Sequence, residues 1–356
     1  MVRTIFKWIG ITSLLALISC GPLQIQTDTL KNGYIGKNYS VTLDLTGAVG
    51  TVTWTLDGIL PGGLQFDPST RKIHGVPSQK GNFDISFTAT DSAPTPRTTT
   101  KNFTLVIEDL SIFYVAPTAK GLGSGSTPSD AASYRSGSFW TKVQAELETC
   151  PVKVLFLDGD YVENLTLKGK GNEDHHLTLQ GESDTGMQFN PPASAPVAKT
   201  MVIAGCQNIT IKDFNFRGHI TGYGMTITKN GSVKSHDITV DSCTWIDLPT
   251  IYYGGMGAHY GSYNVTIQNN VFKRLGLNSH AHMIYNAYSV HHISVVNNHF
   301  EDCSGAHVRF RANADHCTAS GNTFLQTGNY ENQHQRYTAF LQVPLFNDVD
   351  PGDESF

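Results

Sequence analysis

Five segments in the second half of the chain repeat one pattern: CQNITIKDFNF from Cys206, SHDITVDSCTW from Ser235, SYNVTIQNNVF from Ser262, VHHISVVNNHF from Val290 and ADHCTASGNTF from Ala314. Each closes on an aromatic residue, at Phe216, Trp245, Phe272, Phe300 and Phe324, in steps of 29, 27, 28 and 24 residues. A period of that size marks stacked units, each burying its apolar face against its neighbours. Within a segment apolar and polar residues alternate, as in Ile209-Thr210-Ile211 and Val265-Thr266-Ile267. Alternation of period two belongs to a strand with one buried face, so the unit is built from strands.

One column of the repeat holds Asn270, Asn298 and Asn322, just before the closing aromatic. Asparagine suits a turn because its short amide tolerates left-handed backbone and bonds neighbouring peptide groups. Stacked coil on coil, these residues predict an Asn ladder. Over roughly residues 112–345 the pattern resembles the right-handed parallel β-helix of the pectate lyase-like superfamily, which specifies a fold and not a reaction. The expected fold class is therefore all-β, a right-handed parallel β-helix of about seven or more coils over 111–356. Phe139, Val143 and Leu147 recur at helical spacing before Pro151 and predict a helix capping the open N-terminal end of the coils.

The chain opens with Arg3 and Lys7, a short apolar run from Ile9 to Ile18, and then Leu17-Ile18-Ser19-Cys20-Gly21. A basic start, an apolar stretch too short to span a membrane and a small residue before the cut describe a secretory signal over 1–19. The tetrad resembles a bacterial lipobox. That resemblance implies that Cys20 is lipidated, that 20–27 form a tether, and that the protein sits in the cell envelope as an outer-membrane or surface lipoprotein. The other five cysteines, Cys150, Cys206, Cys243, Cys303 and Cys317, form no evident pair or zinc motif and are expected mainly as buried thiols.

Residues 28–110 lack the coil repeat. Short alternating strands at 39–45, 51–56, 83–90 and 103–107, divided by Pro61-Gly62-Gly63 and Val76-Pro77, predict an Ig-like β-sandwich. The run from Thr53-Trp54-Thr55-Leu56 to Phe87-Thr88-Ala89-Thr90-Asp91 resembles the Ig modules of bacterial surface proteins, which act as spacers. Trp54 is expected in the sandwich core, and Asp91 alone is weak support for a calcium site. Gly121-Leu122-Gly123-Ser124-Gly125-Ser126 lacks the Lys of a phosphate loop and reads as a surface loop. A formal charge of −5 and 34 glycines fit a turn-rich extracellular β protein, without the basic excess that a nucleic-acid partner demands.

Functional chemistry concentrates in residues 251–311, which hold seven of the 14 histidines, the cations Lys273, Arg274, Arg309 and Arg311, several tyrosines and only two acids, Glu301 and Asp302. An offset of 25 residues lays Ala281-His282-Met283-Ile284-Tyr285 over Ala306-His307-Val308-Arg309-Phe310, with His282 above His307. If Val308 and Phe310 face inward, alternation turns His307, Arg309 and Arg311 outward. Tyr252, Tyr253, His259, His280 and Asn286 fall on neighbouring coils, and Lys273 and Arg274 follow a closing aromatic into a loop beside this face. All are candidate substrate-binding groups of a groove.

Glycoside hydrolysis generally needs two opposed carboxylates, which the adjacent Glu301 and Asp302 do not supply. Elimination from a uronate needs a cation on the carboxylate, a base for the C5 proton and an acid for the leaving oxygen. Arg309 or Arg311 as neutraliser, His282 or His307 as base, and Tyr285 or Tyr253 as acid meet that need. The expected partner is an acidic polysaccharide, with the membrane reached through the lipid anchor. Resemblance to lyases leaves calcium open, although no residue requires a cofactor. His280 and His282, with His307, make only a weak metal motif. A non-catalytic carbohydrate-binding or adhesive protein, or a hydrolase or epimerase, is the alternative.

Overall fold

The computed structural model describes residues 21–328, 330 and 339–343. The expected leader at 1–19, Cys20 and most of the tail after Tyr337 lie outside these residues. The chain divides into two compact units, Met1–Asp109 and Leu110–Phe356.

The first unit is an Ig-like sandwich. A four-stranded sheet orders Gly33–Tyr34, Thr98–Glu108, Gly81–Asp91 and Val52–Gly58, and a three-stranded sheet orders Tyr39–Thr42, Lys72–Gly75 and Leu64–Asp67. Trp54, Ile73, Phe87, Phe103 and Leu105 fill the shared core, so Trp54 is core as expected. The segment expected as a tether carries the strand Gln24–Ile25, paired antiparallel with Leu45–Thr46, because Ile25 buries its side chain in that core. Asp91 accepts hydrogen bonds from the Val49, Ala93 and Arg97 backbone amides and from the Arg97 guanidinium, at 2.6 Å from Nη2. Its carboxylate is thereby committed to tying the strand ends together.

The second unit is a parallel β-helix. Seven rungs of three strands build two seven-stranded sheets and one nine-stranded sheet, the last extended at its first edge by Ser111–Ala116 and Ala132–Ser133. The closing aromatics of the repeat point inward and form one continuous stack: Phe189, Phe216, Trp245, Phe272, Phe300 and Phe324, with centroids 4.5–5.5 Å apart. Burying each such ring contributes about 1.5–3 kcal/mol, and repeating the ring at the repeat's period aligns the rungs.

The Asn ladder is present, and it works through side-chain bonding. Asn298 Oδ1 accepts from both the backbone amide and Nδ2 of Asn270, each at 2.9 Å, and Asn322 Oδ1 does the same for Asn298 at 2.9 and 3.0 Å. The left-handed backbone falls one residue earlier, at Asn269, Asn297 and Gly321, with φ of 56°, 55° and 65°. Helix Gly137–Glu146, capped by Ser136, packs Phe139, Trp140 and Val143 into the core alongside Val154 and Phe156 of the first rung. Cys150, Cys206, Cys243 and Cys303 are buried free thiols, and Cys317 is a half-buried one.

Candidate functional site

A groove of about 460 Å³ crosses five successive strands of one seven-stranded sheet: Val197–Ala204, Ile220–Thr228, Gly254–Ala258, His282–Asn286 and Val308–Phe310. Its depth originates in the middle strand, GGMGA. Register places Lys199, Tyr223, Gly254 and His282 in one column. A Cβ on Gly254 would lie 3.2 Å from the Tyr223 ring, and one on Gly257 would lie 2.0 Å from the Tyr285 carbonyl oxygen and 3.0 Å from the His259 ring. Glycine thus leaves a notch between strands whose outward side chains are large.

Around the notch stand aromatic walls. Tyr260 and Tyr288 stack at 4.7 Å on one side, and Tyr252 and Tyr253 meet edge to face at 4.7 Å on another, with His280 parallel to Tyr252 at 6.1 Å. The floor is a run of rings, Tyr223 to His259 at 5.2 Å and His259 to Tyr285 at 5.7 Å. Lys199 Nζ lies 5.7 Å from the Tyr223 ring, and the Arg309 guanidinium 5.8 Å from the Tyr285 ring. Lys199, Arg309 and Arg311 line the groove, and among the described residues that line it there is no carboxylate.

Arg309 is half-buried with its Nε sealed from solvent and without a hydrogen-bond partner, while its Nη1 faces His282 Nε2 at 3.2 Å. Desolvation of the guanidinium pushes its pKa down. Arg311 Nη1 donates to Tyr285 Oη at 3.3 Å. Burial, then Arg309, pushes the His282 pKa down to about 3, and burial, then Lys199, does the same to His259. Both imidazoles are therefore neutral at ordinary pH. Both ring nitrogens of His282 face donors, the Ala306 amide at 3.3 Å from Nδ1 and the Arg309 guanidinium at 3.2 Å from Nε2.

Of the residues expected here, Tyr252, Tyr253, His259, His280, His282, Tyr285, Arg309 and Arg311 come together. Four do not. The actual register sets Ile284 on Val308 and Tyr285 on Arg309, an offset of 24 rather than 25. Val308 and Phe310 still face inward and Arg309 still faces the groove. His307 precedes the strand, escapes its alternation and turns inward, fully buried between Phe300, Phe324 and Phe340. Met283 and Ile284, consecutive residues within the strand His282–Asn286, both sit in the core, and alternation restarts after them. Lys273 and Arg274 belong to another sheet, where they pair with Glu301 at 2.6 Å and with Asp247, at 2.8 Å from Arg274 Nη2. Asn286 is fully buried and accepts the Ala258 amide at 3.0 Å, a structural task. With His307 in the core, the His280, His282 and His307 trio is not assembled.

Lys199, Tyr223, Tyr260 and Tyr288 went unnoticed in the sequence, as did the glycine strand. Tyr260 and Tyr288 had a legible signal, since they are 28 residues apart, one repeat step. Lys199 and Tyr223 lie in strands outside the conspicuous segments.

Residues 21–108 match the model of the family described as "Putative Ig domain". No curated protein matches the chain. Among solved structures it is similar to a "putative alpha-galactosidase" from Bacteroides fragilis, with 13% identity and a TM-score of 0.22 over 45% of this chain and 37% of that one. A mannuronic acid specific polysaccharide family 6 lyase from human gut microbiota shows 12% identity and a TM-score of 0.34 over 59% of each chain. The GH136 lacto-N-biosidase from Eubacterium ramulus shows 11% identity and a TM-score of 0.34, over 66% of this chain and 68% of that one. The chain thus spans little more than a third of the galactosidase and under two thirds of the lyase.

Proposed function

We propose that the groove binds an acidic polysaccharide and cleaves it by β-elimination. The observation that carries this reading is Arg309: a half-buried guanidinium with no carboxylate beside it, at the edge of an aromatic floor. Such a cation is suited to a ligand carboxylate, held bidentately, while the tyrosines supply flat surfaces for sugar faces. Neutralising a uronate carboxylate acidifies the C5 proton. A base removes that proton, the electron pair forms the C4–C5 double bond, and the bond from C4 to the bridging oxygen breaks as that oxygen takes a proton.

His282 is poorly suited to the base role, because its pKa of about 3 makes it a weak base and its Nε2 already faces the Arg309 guanidinium. It serves instead to orient the Arg309 guanidinium. Tyr285, oriented by Arg311, is the base that takes the C5 proton and the acid that returns it to the leaving oxygen. One group suffices when both transfers occur on the same face of the sugar.

The test is incubation with a panel of acidic glycans, following the ultraviolet absorbance of the unsaturated product. Tyr285→Phe should abolish unsaturation and retain binding, whereas His282→Gln should keep measurable turnover. New reducing ends without unsaturation would indicate hydrolysis, and binding without turnover an adhesive or carrier role. Either result removes the elimination mechanism.

The same reading places the protein in the cell envelope, held by a lipid on Cys20, on the strength of the basic start, apolar run and Leu17-Ile18-Ser19-Cys20 tetrad. Cys20→Ala should move the protein out of the membrane fraction. Retention there would overturn the anchor.

A further inference from the structure

The spacing of charge along the groove bears on which acidic polysaccharide fits. Its cations stand at the two ends of the floor. Lys199 leans over Tyr223, and Arg309 over Tyr285, with Arg311 beside it. Tyr223 and Tyr285 are two rungs apart, so their rings are separated along the axis by ~10 Å. Between them lies the strand of Gly254 and Gly257, topped by His259, which burial and Lys199 hold neutral. Lys229 approaches the aromatic wall at Tyr260, 5.5 Å from its ring, and is not part of the lining.

A pyranose in an extended glycan is about as long as one rung spacing. A chain lying along the axis therefore sets one sugar at each pole and one over the centre. In a homopolymer of uronates the central sugar would bring a carboxylate onto neutral rings in a partly desolvated notch, which is costly without a paired cation. A neutral sugar there stacks on the tyrosine walls at no such cost.

We infer that the groove selects a polysaccharide of alternating acidic and neutral sugars, with acidic residues at the Lys199 and Arg309 poles and a neutral residue over the glycine notch. The inference rests on the acidic-polysaccharide reading above and specifies its substrate class.

Calorimetric binding and elimination assays should compare hyaluronan and chondroitin, which alternate uronate with amino sugar, against polygalacturonate and alginate, which carry a carboxylate on every sugar. The expected result is affinity for an alternating polymer at least about tenfold higher than for either homopolymer, with Lys199→Gln removing about tenfold and Lys199→Arg restoring it. Lys199 is exposed, so the variant's melting point should match that of the parent and exclude misfolding. Equal or tighter binding of a homopolyuronate overturns the alternating assignment and leaves the acidic-glycan reading intact. So does an effect of Arg309→Ala without one of Lys199→Gln. Failure of all four polymers to bind overturns both.

Discussion

Arg309 lies in the strand Val308–Phe310 and His307 just before it, two residues away, yet one lines the groove and the other is buried. Strict alternation would send both the same way. The difference arises where alternation is interrupted: Met283 and its neighbour Ile284 both face inward, and one coil on His307 and Val308 do the same, with His307 against the aromatic stack. Buried histidine has a consequence for pH. Burial lowers His259 and His282 to about 3 and His307 to about 4, from an ordinary 6.5. Between about pH 6.5 and 4 the unfolded chain therefore binds more protons at these sites than the folded one, and stability falls as pH drops. Each site contributes up to about 1.4 kcal/mol per pH unit. Carboxylates held low by their partners, such as Asp91 and Asp247, act mainly below that window. Urea melts from pH 7.5 to 4.5 should show the loss, and His307→Leu should make it shallower. A midpoint independent of pH over that range would refute the neutral buried histidines.

At the scale of elements, the groove is a local departure from a regular coil. Most strands of this sheet carry bulky outward residues; Gly254–Ala258 carries glycine at two outward positions and so creates the notch. Gly257→Ala should cost about 1–3 kcal/mol, since the new methyl group meets the Tyr285 backbone oxygen and not a side chain that can swing away. Glycan binding should weaken with it. Gly137→Ala is the contrasting change, because a Cβ there meets nothing within 4 Å and the residue opens a helix. Thermal melts of the pair would sink the argument if Gly257→Ala were as stable as Gly137→Ala. The repeat made the ladder of Asn270, Asn298 and Asn322 legible because identical residues recur at the coil period. A notch built on a single rung has no period, and the sequence offered only the unremarked run GGMGA.

For the molecule as a whole, each unit has its own core, centred on Phe87 and Phe103 in the first and on the aromatic stack in the second. A fragment of residues 110–356 should therefore fold alone and melt cooperatively. The cut spares Ser111, whose strand pairs with Val152–Phe156 and whose hydroxyl donates to Glu146. Aggregation of the fragment without a thermal transition would show that the units depend on each other to fold.

By itself the sequence determined what periodicity can encode. The aromatic at the end of each segment and the Asn column recur every 24 to 29 residues and so call for stacked units, and the alternating Ile and Val positions make those units strands. It also marked residues 251–311 as the chemically unusual stretch. Which of those side chains meet was decided only by tertiary structure. Facing depends on the register between coils, in which Tyr285 pairs with Arg309 at an offset of 24 residues, and on the break in alternation that turns two consecutive residues inward. Both are properties of neighbouring rungs packed together, and so they assign Arg309 to the groove, His307 to the core, and Lys273 and Arg274 to ion pairs on another sheet.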